Sequence, residues 1–370
     1  WSDVDNQAKA LIDRFEIQAK PQTLMRDLPV SARTQVAIAT ALQDVSKGPC
    51  IVALDEPTAA LPAAEVKLLL ATIRQLAGMG HAIIFVSHRL DEVLAVTDRV
   101  TVMRDGQVHK EHASATLTEA ELIESILGRP AEEVRGTKAA GAAGHEVLSV
   151  KNLTAGPLQS VSLDVRAGEV LGVAGLLGSG RTELLSAICG ALDRSSGDVT
   201  LLGKKANFRR IDQAIDAGVF LIPEDRSRGA TFPDMTVDEN MDISVLARYR
   251  RWVGFRRTRM RNDASALRKR FRVKAPSGEV AMRTLSGGNQ QKTIIARWLR
   301  LDAKLLLLDE PSQGVDVGAR ADIYTAIRST TDAGGAAIVV ASDLEELALF
   351  ADRAVVLHNG RMVAEVPGSE

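Results

Sequence analysis

Cysteine is nearly absent: Cys50 and Cys189 are the two in a chain of 370 residues, each in an apolar segment. That excludes a disulfide framework and paired-cysteine zinc sites, and it fits reduced thiols in a cytosolic protein. No apolar run approaches the ~18 residues of a membrane span, so any membrane role has to come through another subunit. A secretory signal is missing from the visible start,. Charge of one sign is missing too: the net charge is −1, and no global field argues for nucleic acid or an anionic membrane,. Basic residues do gather between Arg248-Tyr249-Arg250-Arg251-Trp252 and Arg268-Lys269-Arg270. These read as a solvated helical face, with contact to a partner or to lipid headgroups as the alternative. At this length the expectation is about one and a half to two domains.

Against these absences stand two linked blocks. Leu285-Ser286-Gly287-Gly288-Asn289-Gln290-Gln291 precedes a periodic apolar segment (Ile294, Ile295, Trp298, Leu299). It suits a helix start whose free N–H groups face a phosphate. Leu305-Leu306-Leu307-Leu308-Asp309-Glu310-Pro311 follows after a helix-length gap. It suits a buried strand delivering acids to its carboxyl end, where open α/β sheets place their chemistry. Either block alone has an ordinary reading, a turn or a strand end. In this order they resemble the signature and Walker B elements of ABC-type ATPases.

The pattern occurs twice. Asp55-Glu56-Pro57 and Asp309-Glu310-Pro311 lie 254 residues apart, as do Ser87-His88-Arg89-Leu90-Asp91-Glu92 and Ala341-Ser342-Asp343-Leu344-Glu345-Glu346. Asp98-Arg99-Val100 with Arg104-Asp105-Gly106 meets Asp352-Arg353-Ala354 with His358-Asn359-Gly360 at the same offset. A period this long fits two copies of a whole domain rather than a solenoid. Residues 1–128 are expected to be the later part of a first domain, 129–146 a small-residue linker and 147–370 a second domain. A phosphate loop for the first copy would lie before Trp1, so the chain is expected to be an N-terminally truncated piece. After the linker, Val147-Leu148-Ser149-Val150 and Val161-Ser162-Leu163-Asp164-Val165 alternate as half-buried antiparallel strands do. Val170-Leu171-Gly172-Val173-Ala174 should lead into a glycine-rich loop and a helix (Leu184, Leu185, Ile188).

That loop, Gly175-Leu176-Leu177-Gly178-Ser179-Gly180-Arg181-Thr182, fits the phosphate-cradling spacing, with Arg181 where lysine is usual,. Arginine can neutralise phosphate charge, but its planar fork is not interchangeable with an ammonium. Thr182 and Asp309 are the expected Mg²⁺ contacts, Asp309 through water; a plain helix cap is the alternative for Thr182. Glu310 is placed to orient or deprotonate an attacking water. Glu224, in Pro223-Glu224-Asp225-Arg226, stands where ABC proteins usually carry a γ-phosphate-sensing glutamine. This form, with Gly-Arg-Thr in the loop and Asn-Gln-Gln after the signature glycines, resembles the second domain of monosaccharide-importer ATPases of the ribose/galactose/xylose type. Ser342 replaces the histidine that would steady γ-phosphate, and no aromatic near Ala155-Gly156-Pro157 would stack on adenine.

In the first copy the signature reads Leu28-Pro29-Val30-Ser31-Ala32, which loses a hydroxyl and a close backbone approach,. Asp55, Glu56 and His88 are retained, although His88 ends a strand and could be structural. Pro62 falls where Asp316 sits in the other copy. The resemblance implies that ATP is sandwiched between one domain's loop and the other's signature. Ser286, Gly287, Gly288 and Asn289 would then serve the site of Asp55, Glu56 and His88, and the degenerate signature the site of Arg181 and Ser342.

The resemblance implies an α/β fold of tandem P-loop ABC domains, each with a parallel-sheet core, an antiparallel layer and a helical subdomain, the first incomplete. It implies an ATPase using ATP and Mg²⁺ at the cytoplasmic membrane face, partnered by permease subunits and indirectly by a sugar-binding protein, with no nucleic acid. Glu224 and the insert from Met235 to Leu246 would line the groove for a permease helix. A soluble tandem ATPase acting on ribosomes or nucleic acid is the alternative, disfavoured by the short linker and single cysteines. A catalytically dead scaffold is disfavoured by Glu56, His88 and Glu310.

Overall fold

The computed structural model describes residues 2–15, 17–42, 49–58, 61, 63–87, 89–104, 106–127, 144–176, 178–315 and 317–367. His88, Pro62, Asp316, Leu177 and most of the 129–146 linker therefore lie outside the described residues. Contacts divide the chain into two compact units, Trp1–Arg129 and Pro130–Glu370.

In the first unit, helices Ser2–Arg14 and Val30–Leu42 precede strand β1 (Ile51–Asp55). Helix Ala63–Gly78 then leads to β2 (Ala82–Val86), and helix Leu90–Val96 leads to the hairpin β3 (Arg99–Arg104) and β4 (Gln107–Ala113). Helix Glu119–Leu127 closes the unit. β1 and β2 run parallel, and β3 and β4 antiparallel. Val52 and Leu54 pack on Ile38, Leu69, Ile73 and Leu76, while the alternate residue Ile51 is exposed, as is Ile84 of β2. One face of this strand pair is thus covered and the other is not.

The second unit opens with an antiparallel sheet ordered β6-β5-β8-β9, made of β5 (Glu146–Ala155), β6 (Leu158–Arg166), β8 (Ser196–Leu201) and β9 (Lys204–Lys205). β5 starts at Glu146, inside the expected linker. Val147 to Val150 are all buried rather than half-buried, Ser149 included. The main sheet is ordered β10-β11-β12-β7-β13-β14. Its strands are β7 (Val170–Gly175), β10 (Val219–Ile222), β11 (Leu305–Asp309), β12 (Ala336–Val340), β13 (Arg353–His358) and β14 (Arg361–Pro367). All its pairings are parallel except β13–β14. Leu305 and Leu307 point into a core shared with the antiparallel sheet and helix Arg181–Cys189. Leu306 and Leu308 point into a second core with Ile294, Ile295, Ile323 and Ile327. Burial on both faces is why β11 needs four leucines in a row.

The 254-residue repeat is visible in the pairings. Ile51–Ala82 in β1–β2 recurs as Leu305–Ala336 in β11–β12, and Arg99–Ala113 as Arg353–Pro367. Even the bulge at Val102/Met103 recurs at Val356/Leu357. Glu56 and Glu310 share a left-handed backbone, at φ 48 and 47, and each N–H donates to the last residue of the next strand, Val86 at 2.8 Å and Val340 at 2.9 Å. A buried hydroxyl–carboxylate pair also recurs. Thr58 Oγ1 donates to Glu92 Oε2 at 2.6 Å, and Ser312 Oγ to Glu346 Oε1 at 2.6 Å. Among the described residues, no helix is long and apolar enough to cross a membrane.

The repeated glycines Gly106 and Gly360 both adopt φ +76, but their surroundings differ. Among the described residues a Cβ at Gly106 meets nothing within 4 Å, whereas one at Gly360 would meet the Pro157 carbonyl oxygen at 1.8 Å. Gly106→Ala should therefore cost only the left-handed penalty of about 1–2 kcal/mol. Gly360→Ala should cost distinctly more, because backbone has to move. Thermal melts of the two variants check this; equal shifts would mean that the Pro157 contact is not a constraint.

Candidate functional site

The carboxyl ends of β7, β11 and β12 bring Arg181, Thr182, Asp309, Glu310 and Ser342 together. β7 passes into the glycine-rich loop, and Gly180 is the N-cap of helix Arg181–Cys189 at φ 105. A Cβ there would lie 2.8 Å from Leu158 Cδ2, so only glycine holds this turn without displacement,. The first N–H groups of the helix have no intrahelical acceptor, which suits an anion. Ser179 Oγ is buried without a hydrogen-bond partner among the described residues. A loop of glycines with a stranded hydroxyl fits a ligand rich in acceptor oxygens.

Thr182 is not a helix cap. Its Oγ1 donates to Asp309 Oδ2 at 2.7 Å, joining the loop's helix to the end of β11. Asp309 is 3% exposed, and its pKa is pushed up to about 6. Burial is the main cause, followed in the same direction by the charges of Glu224 and Glu310; the Thr182 hydrogen bond and Arg181 oppose it. Among the described residues no group of three or more carboxylates, histidines or cysteines is gathered to hold a metal, but the hydroxyl of Thr182 with the carboxylate of Asp309 is a donor pair that suits a hard divalent cation such as Mg²⁺,.

Arg181 is buried, and its fork is engaged by protein. Nη1 donates to the Ala341 carbonyl and Nη2 to Ser342 Oγ, both at 3.1 Å, and Nη1 lies 3.4 Å from Glu310 Oε1. Ser342 Oγ in turn donates to Glu310 Oε1. The arginine expected to face phosphate thus also holds the carboxylate expected to activate water. This follows from its reach: a guanidinium extends past the loop to the ends of two neighbouring strands.

Ser286 is the N-cap of helix Gly287–Leu299, so the signature residues sit at a helix start as the sequence implies. Asn289 is turned inward: its Oδ1 accepts from Lys274 N at 2.7 Å and its Nδ2 donates to Ser286 Oγ at 2.9 Å. It orders Ser286 and the loop before the helix. Glu224 is exposed beside Gln313, whose Nε2 donates to its Oε1 at 3.3 Å.

Arg226 carries a role that the sequence did not reveal. Its Nη1 donates to the Gly287 carbonyl at 2.9 Å and its Nη2 to the Gln313 carbonyl at 2.8 Å. It ties the signature start to the segment after Asp309-Glu310. The only signal was the quoted Glu-Asp-Arg string, and its acceptors, being backbone carbonyls, leave no trace in side-chain pattern. An open cleft of ≈ 560 Å³ lined by Glu224, Asp225, Arg226, Gln290 and Gln313 lies beside this bridge.

In the first unit, Asp55 ends β1 and is exposed, and Glu56 follows in the same backbone conformation as Glu310.

Residues 158–313 match the ABC transporter family. The ribose import ATP-binding protein RbsA of Chelativorans sp. (strain BNC1) is 38% identical over 370 residues, which is 100% of this chain and 72% of that one. Ribose import ATP-binding protein RbsA 3 of Rhizobium meliloti (strain 1021) is 38% identical over 365 residues, 98% of this chain and 72% of that protein. A dimeric ATP-binding cassette in a post-hydrolysis state, bound to ADP and Pi, superposes with a TM-score of 0.53 at 22% identity, over 60% of this chain and 99% of the other. A nucleotide-free cassette from an ABC transporter gives 0.52 at 23% identity, over 61% and 92%. The structural likeness establishes the ABC ATPase α/β fold, with its parallel and antiparallel sheets, and the whole-length relatives establish the kinship: the chain belongs to the ABC transporter ATP-binding proteins.

Proposed function

We propose that this chain is an ATP-hydrolysing subunit that energises import of a sugar through a membrane permease. The observation that carries the reading is the Thr182–Asp309 hydrogen bond at 2.7 Å beneath a glycine loop with Glu310 next in sequence. Phosphoryl transfer asks a protein mainly to position phosphates and to neutralise charge, and these elements do both. Gly175, Gly178, Ser179, Gly180 and the first turn of the following helix cradle phosphates. Thr182 and Asp309 would hold Mg²⁺, which supplies charge neutralisation on the transferred phosphoryl group. Ser286, Gly287 and Gly288 present a second helix start to phosphate.

The recurrence of strand registers, of the Glu56/Glu310 backbone and of the Thr58–Glu92/Ser312–Glu346 pairs at one offset supports two nucleotide-binding domains in tandem. In that reading the first unit corresponds to the later part of a nucleotide-binding domain, its β1–β2 pair standing where β11–β12 stand in the second unit. Hydrolysis rests on Glu56, His88 and Ser286, with Asp55 as the Mg²⁺ contact, while the site of Arg181 mainly binds ATP. Glu310 supports this asymmetry: its Oε1 already accepts from the Ser342 hydroxyl and lies beside the Arg181 guanidinium, so that oxygen is less free to take a proton. The protein would sit peripherally on the cytoplasmic membrane face, with permease subunits as direct partners and a sugar-binding protein as an indirect one. The cleft beside Glu224 and Arg226 suits a permease element, because it touches both the post-strand segment and the signature helix.

Three experiments test this reading. A photocrosslinker at Asp225 should trap a membrane permease subunit in cells; capture of ribosomal or DNA-bound partners alone would sink the importer assignment. Arg181→Ala should weaken ATP binding to the second unit by about 1.5–3 kcal/mol, the worth of charge-assisted hydrogen bonds, in titration calorimetry. Unchanged affinity would show that the side chain serves Glu310 and not phosphate. In the assembled transporter, Glu56→Gln should lower ATPase activity by about 10²–10⁴-fold, the usual contribution of a general base, and Glu310→Gln should leave much of it. The reverse ranking would overturn the asymmetry.

A further inference from the structure

The helical insert of the second unit carries a turn that nothing at the nucleotide site uses. Between Asp242 and Asp263 the chain has seven arginines and no acidic residue, although its total charge is only −1. The expectation of a solvated helix holds for Arg257–Arg270, but the residues before it fold differently. Arg250 and Phe255 form an antiparallel bridge, the Arg251 N–H donates to the Gly254 carbonyl at 3.0 Å, and the Arg256 N–H donates to Tyr249 at 2.9 Å. This tight turn puts Trp252 and Val253 at its apex, 102% and 87% exposed.

The apex stands on a fixed base. Tyr249 is buried, its hydroxyl donates to Asp263 Oδ2 at 2.7 Å, and Arg300 donates to that same hydroxyl. Arg259 and Arg261 are paired with Asp263 and Glu279. Arg250, Arg251, Arg256 and Arg257 are exposed and have no carboxylate partner among the described residues. The fold therefore holds an aromatic and an aliphatic side chain outward, with unneutralised guanidinium groups on both sides.

A convex four-residue apex offers no groove for a peptide. It does match a flat anionic surface whose interior is apolar. Tryptophan favours the headgroup level of a bilayer, where its ring is half-buried and its N–H stays wet. Guanidinium binds phosphate bidentately, and each basic residue near an anionic surface is worth about a fivefold gain in partitioning. We propose that the 250–257 turn touches an anionic phospholipid surface, Trp252 and Val253 entering the headgroup region while Arg250, Arg251, Arg256 and Arg257 bind lipid phosphates. The contact stands apart from the nucleotide chemistry, so it can fail without the proposed function failing.

The test is sedimentation of the purified 370-residue chain with vesicles of phosphatidylcholine alone or mixed with phosphatidylglycerol. Binding should appear only with phosphatidylglycerol and should fall away near about 1 M salt, where the screening length drops to about 3 Å. The emission difference between wild type and Trp252→Phe should shift to the blue on these vesicles and be quenched by brominated acyl chains. Combined Arg250→Gln and Arg251→Gln should lower binding by at least about tenfold, from the per-residue contribution above. Combined Trp252→Ala and Val253→Ala should leave weak, fully salt-sensitive adsorption. Unchanged melting curves would show that both variants fold, and unchanged ATP binding that the nucleotide site is untouched. Equal binding to both vesicle types, or binding indifferent to these substitutions, overturns the proposal. So does adsorption of the turn to nucleic acid or to an acidic protein segment with none to phosphatidylglycerol.

Discussion

Everything at the candidate site depends on one strand being inserted between two that arrive much later in the chain. β7 pairs with β12 through Val173–Val340 and with β13 through Gly175–Leu357. Because these pairings are parallel, the chain leaves all three strands at the same edge, and Asp309 of β11 ends there too. Thr182 can reach Asp309, and Arg181 can reach Ala341, only in this register. A slip of one residue would put a side chain where Gly172 now sits, and even a Cβ there would lie 3.1 Å from Ala351 Cβ and 3.2 Å from Leu347 Cδ2.

That dependence explains what the sequence disclosed. Four consecutive leucines before Asp309 read correctly as a strand buried on both faces, and the glycine spacing before Thr182 read as a turn into a helix, because both follow from local period and local backbone freedom. The repeat was legible because identical strand registers demand similar residues at identical spacing. Arg226 was not legible as a bridge, since it binds the carbonyls of Gly287 and Gln313, and a carbonyl is the same in every residue. The double role of Arg181 was hidden for a related reason: its reach crosses two strands, and spacing along the chain carries no such distance. The arginine-rich stretch before residue 257 looked helical because charge dominated its pattern, while the bridge between Arg250 and Phe255 governs its shape.

Charge in the site is distributed so that no group acts alone. Asp309 is raised by burial and by two neighbouring carboxylates, and it is steadied by a hydroxyl and a guanidinium. The same guanidinium lies against Glu310. An arginine at this point gives the loop neighbours that a lysine could not hold together, for a fork can hold a carbonyl, a hydroxyl and a carboxylate at once,. Chemistry that asks Glu310 to accept a proton has to compete with partners it already has.

The paired Thr58–Glu92 and Ser312–Glu346 contacts bear on how such a chain can change over time. Each carboxylate is buried, and burial with the nearby charge of Glu310 raises the pKa of Glu346 while the Ser312 hydroxyl lowers it. Loss of the hydroxyl alone would leave each buried carboxylate with only a guanidinium beside it, Arg89 at Glu92 and Arg320 at Glu346, and loss of the carboxylate alone would take the acceptor from a buried hydroxyl,. Threonine and serine supply the same hydroxyl to this contact at no electrostatic cost, and the two copies differ in just that way.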